Sequence, residues 1–109
     1  MADPRIRQFH IKTGVTKRCC KEVLSYQKEA EQIQQKIKKM QDEGTDVYYI
    51  KKQDLLLQET QNVIPDCQKR LNAAYQDLTT LIETEKELEE SEVYKAAQEV
   101  VKDTAPYIN

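Results

Sequence analysis

Apolar residues recur along most of this chain at alternating intervals of four and three, and this spacing limits the fold more than any other feature. An average spacing of 3.5 residues keeps the apolar side chains on one face of a helix and is typical of a coiled-coil seam. The first series is Cys19, Val23, Tyr26, Ala30, Ile33, Ile37 and Met40, and the second is Ile50, Leu57, Thr60, Ile64, Cys67, Leu71, Ala74, Leu78 and Leu81. With 33% charged residues and only 2 Gly, the composition also favours long helices around a thin core.

The ends of the two long helices are marked by local signals. Asp3 and Pro4 are suited to an N-cap and a first helical position, so helix 1 is predicted over about 4–41. Gly44 can adopt the left-handed conformation that closes a helix, and Thr45 or Asp46 can cap the next one, predicted over about 47–83. A short turn makes the two helices antiparallel, which places Cys19 near Cys67 to Leu71, Ala30 near Leu57 and Ile37 near Ile50.

Pro65 falls within the second apolar series. Because the spacing continues from Leu57 to Leu81 without a skip, we expect a kinked helix rather than two helices. Thr84 and Glu87 have the spacing of a capping box, which predicts a third helix over about 86–103. The residues expected on its buried face are Leu88, Val93 or Tyr94, Ala97, and Val100 or Val101. Beyond Pro106 the chain is expected to fray. The predicted fold is a single domain (1–109), an all-α, elongated antiparallel three-helix bundle with helix 2 kinked at Pro65.

Charge is segregated along the chain. The first 40 residues hold 10 Lys and Arg against 4 Asp and Glu, whereas residues 83–109 hold 3 against 8. The acidic start of the third helix is therefore expected to lie beside the basic residues between Arg5 and Lys21. The sequence pI of about 5.5 and the scarcity of aromatic residues in that basic segment argue against nucleic acid as a partner.

The residues give little support for an enzyme or a metal centre. His10 is the single histidine, and the two glycines lie thirty residues apart, so no Gly-rich phosphate loop is present. The three cysteines lack a CxxC pair, and Cys19 and Cys67 are expected in the core with Cys20 exposed. We expect no cofactor, no membrane span and no secretory signal, which favours a cytoplasmic chain.

The apolar residues near the turn exceed what a seam between two helices requires. Leu55, Leu56 and Leu57 are consecutive and point in different directions, so at least one faces solvent or a partner. One interpretation is a broad seam with an ordinary exposed leucine, and the other is a partner-binding patch. The candidate residues are Leu55, Leu56 and Val63, with Lys36, Lys38, Lys39, Lys51 and Lys52 nearby.

Several blocks of the sequence are similar to the tubulin-binding cofactor A family over nearly the whole chain. They include the N-terminal segment 1–5, Ile11 to Val15 with Lys17 and Arg18, Ile50 to Gln53, the segment Ile64-Pro65-Asp66-Cys67-Gln68, and Arg70-Leu71, Ala73-Ala74-Tyr75 and Asp77-Leu78. The Pro-Asp-Cys-Gln block is the most specific, because a proline inside a heptad seam is rare by chance. The Cys19-Cys20 pair, the turn near Gly44 and the residues after Lys102 depart from the family pattern.

The resemblance implies a cytoplasmic, cytoskeleton-associated and non-enzymatic chaperone. It would capture β-tubulin released from the cytosolic chaperonin, without nucleotide, and hold it for assembly into the αβ heterodimer; other tubulin-folding cofactors are possible partners. A monomer is expected, although yeast relatives are associated with dimers. The competing interpretation is a structural coiled-coil dimer, against which the Gly44 turn argues because it breaks a continuous zipper.

Overall fold

The chain forms an elongated bundle of three helices. A computed structural model describes residues 3–109, with α1 over Pro4–Asp42, α2 over Val47–Thr84 and α3 over Glu92–Thr104. Short 3₁₀ turns occupy Lys86–Leu88 and Ala105–Tyr107. The bundle measures 65 × 24 × 18 Å. The predicted fold class is confirmed.

The turn between α1 and α2 is closed by backbone hydrogen bonds. Gly44 has a φ of 71°, and its amide donates to the Gln41 carbonyl at 3.2 Å. The Thr45 amide donates to the Met40 carbonyl at 2.9 Å, which completes a Schellman motif and satisfies two carbonyls at the end of α1. Asp46 then caps α2 by accepting from the Tyr48 amide at 2.8 Å. The Gly44 turn is therefore as predicted, with Asp46 rather than Thr45 as the cap.

The first helix also begins as predicted. The Asp3 side chain accepts from the Arg5 amide at 2.9 Å, and Pro4 is the first helical residue. The Arg5 guanidinium returns to the same carboxylate at 2.7 Å. The pKa of Asp3 is lowered, first by its side-chain hydrogen bond with Arg5.

Contacts between α1 and α2 follow the expected antiparallel register. The Thr16 hydroxyl donates to the Lys12 carbonyl at 2.8 Å and lies 3.3 Å from the Ala74 carbonyl on the facing helix. Cys19 packs against a cluster that contains Cys67 and Leu71, as the pairing about Gly44 predicted.

Two clusters of buried side chains hold the end of the rod where all three helices meet. The first cluster consists of Phe9, Leu78, Leu81, Tyr94, Ala97 and Val100. The second consists of Cys20, Val23, Cys67 and Leu71. Phe9 and Tyr94 bring their ring centroids to 5.5 Å, which joins α1 to α3. We call residues 26–64 the distal half; its buried residues are Ala30, Ile33, Ile37 and Thr60.

The expected roles of two neighbouring cysteines are reversed. Cys20 is buried and Cys19 is only partly so, whereas the spacing placed Cys19 in the core and Cys20 at the surface. The cause is α3, because Cys20 lines a cavity with Val100 and Thr104 on that helix. The third helix thus widens the buried face of α1 beyond the two-helix seam.

The third helix starts later than predicted. Thr84 is still the last residue of α2, where its hydroxyl donates to the Leu81 carbonyl at 3.3 Å. The prediction of a capping box formed by Thr84 and Glu87 was therefore wrong. Ser91 caps α3 instead, accepting from the Tyr94 amide at 3.4 Å, and the helix begins at Glu92 rather than at 86. Its buried residues Tyr94, Ala97 and Val100 are among those predicted.

The C-terminal residues are attached to α2 rather than frayed, contrary to the prediction. The Gln68 side chain donates to the Tyr107 carbonyl at 2.9 Å, and the Asn109 amide donates to the Asn72 side chain at 3.4 Å. Ile108 packs against the second buried cluster. These contacts explain why Gln68, a polar residue beside the seam, is buried.

Pro65 lies inside α2, which continues on both sides of it as predicted. Proline has no amide hydrogen, so position 65 cannot donate to the Gln61 carbonyl, and a proline ring inside a helix favours a kink there. The kink itself stays a prediction. Both residues are exposed, which leaves the unpaired carbonyl open to water.

The acidic segment neutralises less of α1 than expected. Arg5 pairs with Glu85 at 3.0 Å and with Glu87 at 3.3 Å, but Lys12 pairs with Asp77 on α2 at 3.9 Å. Within the described chain, four further cations of this segment make no ion pair: Arg7, Lys17, Arg18 and Lys21.

Candidate interaction surface

The candidate apolar residues of α2 lie at the surface. The exposed fractions are 60% for Leu55, 41% for Leu56 and 39% for Val63. The five candidate lysines are exposed as well: Lys36, Lys38, Lys39, Lys51 and Lys52. Leu57, the third of the consecutive leucines, is half-buried in the seam.

Leu56 and Val63 share one side of α2, whereas Leu55 lies on another. Residues seven apart return to nearly the same side of a helix, which groups Tyr49, Leu56 and Val63. We call these three residues the outer row. Leu55 is grouped by the same spacing with Tyr48.

An ion pair shows which part of α1 borders the outer row. Arg70, seven residues beyond Val63, donates to the Glu22 carboxylate of α1 at 2.6 Å. In antiparallel helices, rows that meet at one heptad continue side by side at the next. We therefore expect the row of Glu22, Glu29 and Lys36 to run beside the outer row, with Lys36 next to Leu56.

Among the remaining lysines, Lys52 lies on the side of the outer row, because it is three residues after Tyr49 and four before Leu56. Lys38 and Lys39 do not form one patch with it. Lys38 and Lys39 are adjacent in sequence and so point about 100° apart on the helix. Lys39 lies 4.0 Å from Glu43, and the Lys52 ammonium lies 4.7 Å from the ring centroid of Tyr48. The structure thus places all eight candidates at the surface but brings only part of the set together.

An aromatic group at the start of α2 was missed by the sequence analysis. Val47, Tyr48 and Tyr49 are all more than half exposed, and the two tyrosine rings meet edge to face at 5.4 Å. The seam in this region begins at Ile50, so none of the three residues occupies a seam position. An apolar run before the first seam residue was the signal that could have indicated them.

A polar cluster lies one heptad beyond Val63, the last residue of the outer row. It consists of Glu22, Cys67 and Arg70. The Cys67 thiol donates to the Glu22 carboxylate at 3.0 Å, and the Arg70 guanidinium lies 3.3 Å from the same sulfur. The pKa of Glu22 is lowered, first by the Cys67 hydrogen bond and then by that of Arg70. Burial, followed by Glu22, raises the pKa of the Cys67 thiol. A protonated, buried thiol is a poor nucleophile, so this cluster is suited to joining helices rather than to catalysis.

Two further properties bear on the kind of site. Across residues 3–109, no group of three or more His, Cys, Asp or Glu side chains could hold a metal ion. None of the helices in that range combines the length and the hydropathy needed to cross a membrane.

Comparisons with known proteins agree with the fold and with the family resemblance. Tubulin-specific chaperone A from Gallus gallus is 57% identical over 101 residues, which cover 93% of this chain and 94% of that protein. The structure of human tubulin chaperone cofactor A matches with a TM-score of 0.84 and 52% identity, covering 94% of this chain and 99% of that one. The crystal structure of tubulin folding cofactor A from Arabidopsis thaliana gives a TM-score of 0.86 at 38% identity, covering 94% and 97%. Because the family model of tubulin binding cofactor A also matches residues 4–101, the chain belongs to the tubulin binding cofactor A family.

Proposed function

We propose that this chain is a tubulin-folding cofactor that captures β-tubulin released from the cytosolic chaperonin. It holds the subunit in the cytoplasm until the αβ heterodimer assembles, and it uses no nucleotide. Membership of the family supports the proposal, since relatives are named tubulin-specific chaperone A and tubulin-folding cofactor A. Other tubulin-folding cofactors are the expected recipients of the subunit.

The outer row is the surface that we assign to β-tubulin, together with Leu55 beside it. A chaperone for a subunit awaiting assembly must cover apolar area that the assembled partner will later cover. Leu56 and Val63 offer such area on one side of a long helix, in the manner of anchors spaced seven residues apart. This exposed apolar row is the observation that carries the proposal.

The candidate lysines contribute attraction rather than specific contacts. All five candidate lysines are exposed, and helical spacing puts Lys52 beside the outer row and Lys36 on the facing row of α1. Exposed charges act mainly on the association rate, through long-range attraction to an acidic partner. We propose that one monomer engages one β-tubulin subunit along the side of the rod.

The double substitution Leu56→Ser with Val63→Ser tests the surface. Both side chains are partly exposed in the free protein, so the melting temperature should change little while β-tubulin binding weakens by about tenfold or more. Capture of purified β-tubulin by the immobilised protein, read as a dissociation constant, measures the effect.

A matched control uses two exposed isoleucines at the other end of the rod. Ile6→Ser with Ile11→Ser makes the same chemical change on α1 and should leave capture intact. If the control loses binding while the outer-row variant binds normally, β-tubulin lies at the wrong end for this proposal.

Charge reversal of Lys38 and Lys39 tests the electrostatic part. Replacing both with glutamate should slow association, and the difference should be largest at low salt, because exposed charges are screened within about 8–10 Å at physiological ionic strength. Stopped-flow association at two salt concentrations measures this. An unchanged association rate at low salt would remove the lysines from the proposal.

A further inference from the structure

We propose that the groove between the first part of α1 and α3 is a second docking surface, which takes an acidic polypeptide segment carrying an apolar side chain. The groove lies at the end of the rod away from the outer row. It is lined by His10, Ile11, Thr13, Gly14, Lys17, Arg18 and Ala96, and encloses about 430 Å³.

Unpaired cations make this groove electropositive. Lys17 and Arg18 line it and form no ion pair with any described residue, and neither do Arg7 and Lys21 on the adjoining turns. Among residues 3–109, Arg5 is the one cation at this end of α1 that forms an ion pair with the acidic segment after α2. Four cations within four turns of one helix that make no ion pair in the described chain favour a partner with carboxylates.

Gly14 lets one of these cations lie close to the helix backbone. A methyl group at position 14 would meet the Arg18 Nη1 atom at 3.3 Å, closer than ordinary contact. Glycine within a helix is unfavourable compared with alanine, so its position needs a local reason. Here its missing side chain provides the space in which the Arg18 guanidinium lies over the groove.

The groove also contains an unsatisfied polar atom and exposed apolar surface. The Thr13 hydroxyl oxygen is buried and has no hydrogen-bond partner within residues 3–109. Ile11 is 49% exposed, and Ala96 of α3 faces it across the groove. A polypeptide segment can contact all three features of the groove. Its carboxylates would pair with the cations, a polar group would bond to the Thr13 hydroxyl, and an apolar side chain would pack on Ile11.

The surroundings favour a polypeptide over a nucleic acid. Glu92 and Glu99 lie on α3 beside the groove, and Asp103 lines a neighbouring cavity together with Lys17 and Lys21. A duplex carries phosphates along its whole length and would meet these carboxylates, whereas a short segment in the groove need not.

The experiment measures fluorescence anisotropy of a labelled synthetic peptide made of glutamates with a leucine at every fourth position. The unaltered protein should bind it, more weakly as salt increases. Lys17→Glu with Arg18→Glu should weaken binding by about tenfold or more. Lys28→Glu with Lys69→Glu is the matched control, because it reverses two exposed lysines that belong to neither the groove nor the candidate surface for β-tubulin, and it should change binding by less than about twofold.

Gly14→Ala separates docking from folding. The substitution should leave the melting temperature unchanged or raise it, since alanine is the better helix former. It should nevertheless weaken peptide binding slightly, because the added methyl group displaces the Arg18 guanidinium by a few tenths of an ångström. A purely structural role for Gly14 would leave peptide binding unaltered.

Three results would overturn the proposal. They are no binding of the peptide by the unaltered protein, equal losses in the groove variant and its matched control, or tighter groove-dependent binding of a labelled DNA duplex than of the peptide. None of these readings depends on β-tubulin capture, so the outer row and the groove can fail independently.

Discussion

Glu22 of α1 binds two side chains of α2, Cys67 and Arg70. Its carboxylate accepts from the Cys67 thiol and from Arg70, and both bonds favour the ionised form, which lowers its pKa. A carboxylate with a lowered pKa in the folded state stabilises the fold above the ordinary glutamate pKa. That contribution disappears as the pH falls through the lowered value.

Glu22→Gln should therefore reduce stability at pH 7 and make little difference at pH 3. Urea unfolding of both proteins at the two pH values measures the change. Glu29→Gln is the matched control, since Glu29 follows on the same row and is exposed. If the loss caused by Glu22→Gln is the same at both pH values, ionisation of Glu22 is not responsible.

The cysteine pair shows where spacing alone misleads at the scale of one residue. The seam of α1 and α2 could be predicted because both partners carry the same repeat. Cys20 is covered by α3 and by the C-terminal residues, whose approach no repeat within α1 encodes. Gln68 is similar: its burial depends on the Tyr107 carbonyl, far away in sequence.

At the scale of the helical elements, the turn at Gly44 depends on one backbone conformation. No heavy atom would contact a side chain added there, so the effect of a substitution comes from the positive φ alone. Gly44→Ala should reduce the free energy of unfolding by about 1 kcal/mol. Chemical denaturation measures this, with Gly14→Ala as the control at a helical glycine. A loss near zero would mean that the turn can adopt another conformation.

Pro65→Ala should straighten α2 and keep the fold. The substitution restores a backbone hydrogen bond and removes a clash that costs about 3 kcal/mol in an ideal helix, although a seam adapted to the kink offsets part of the gain. Circular dichroism should show equal or greater helicity, and thermal unfolding equal or greater stability. Unfolding of the variant would mean that the proline is a required boundary.

The ends of α1 and α2 could be predicted because their signals are local. Asp3, Gly44 and Asp46 each act within a few residues of the backbone groups that they satisfy. The start of α3 could not, because Thr84 also fits the end of α2, where its hydroxyl bonds to Leu81. The exposure of Leu56 and Val63 could be predicted, because the distal half of α2 has more apolar residues than a two-helix seam can bury. Which row of α1 faces them could not be predicted from the sequence, because it depends on the contact between Glu22 and Arg70.

At the scale of the whole molecule, the shape is far from that of a compact domain. The radius of gyration is 19.4 Å, against about 13 Å for a compact domain of 100 residues. Small-angle scattering should give a value close to 19.4 Å that does not change with concentration. Sedimentation should give a mass near 12.8 kDa throughout. A mass that doubles with concentration would contradict the proposed monomer.

Because both buried clusters lie where three helices meet, the rod is anchored at one end only. The contacts of α3 and the C-terminal residues reach as far as Leu24 and Gln68, and beyond them two helices stabilise each other alone. Local opening is easiest where buried contacts are few. Backbone amides of the distal half should therefore exchange with deuterium sooner than those near Phe9 and Leu78, and mass spectrometry of exchanged peptides measures the difference. The surface that we assign to β-tubulin is consequently on the more adaptable half, which can change shape around a subunit while the anchored half stays folded.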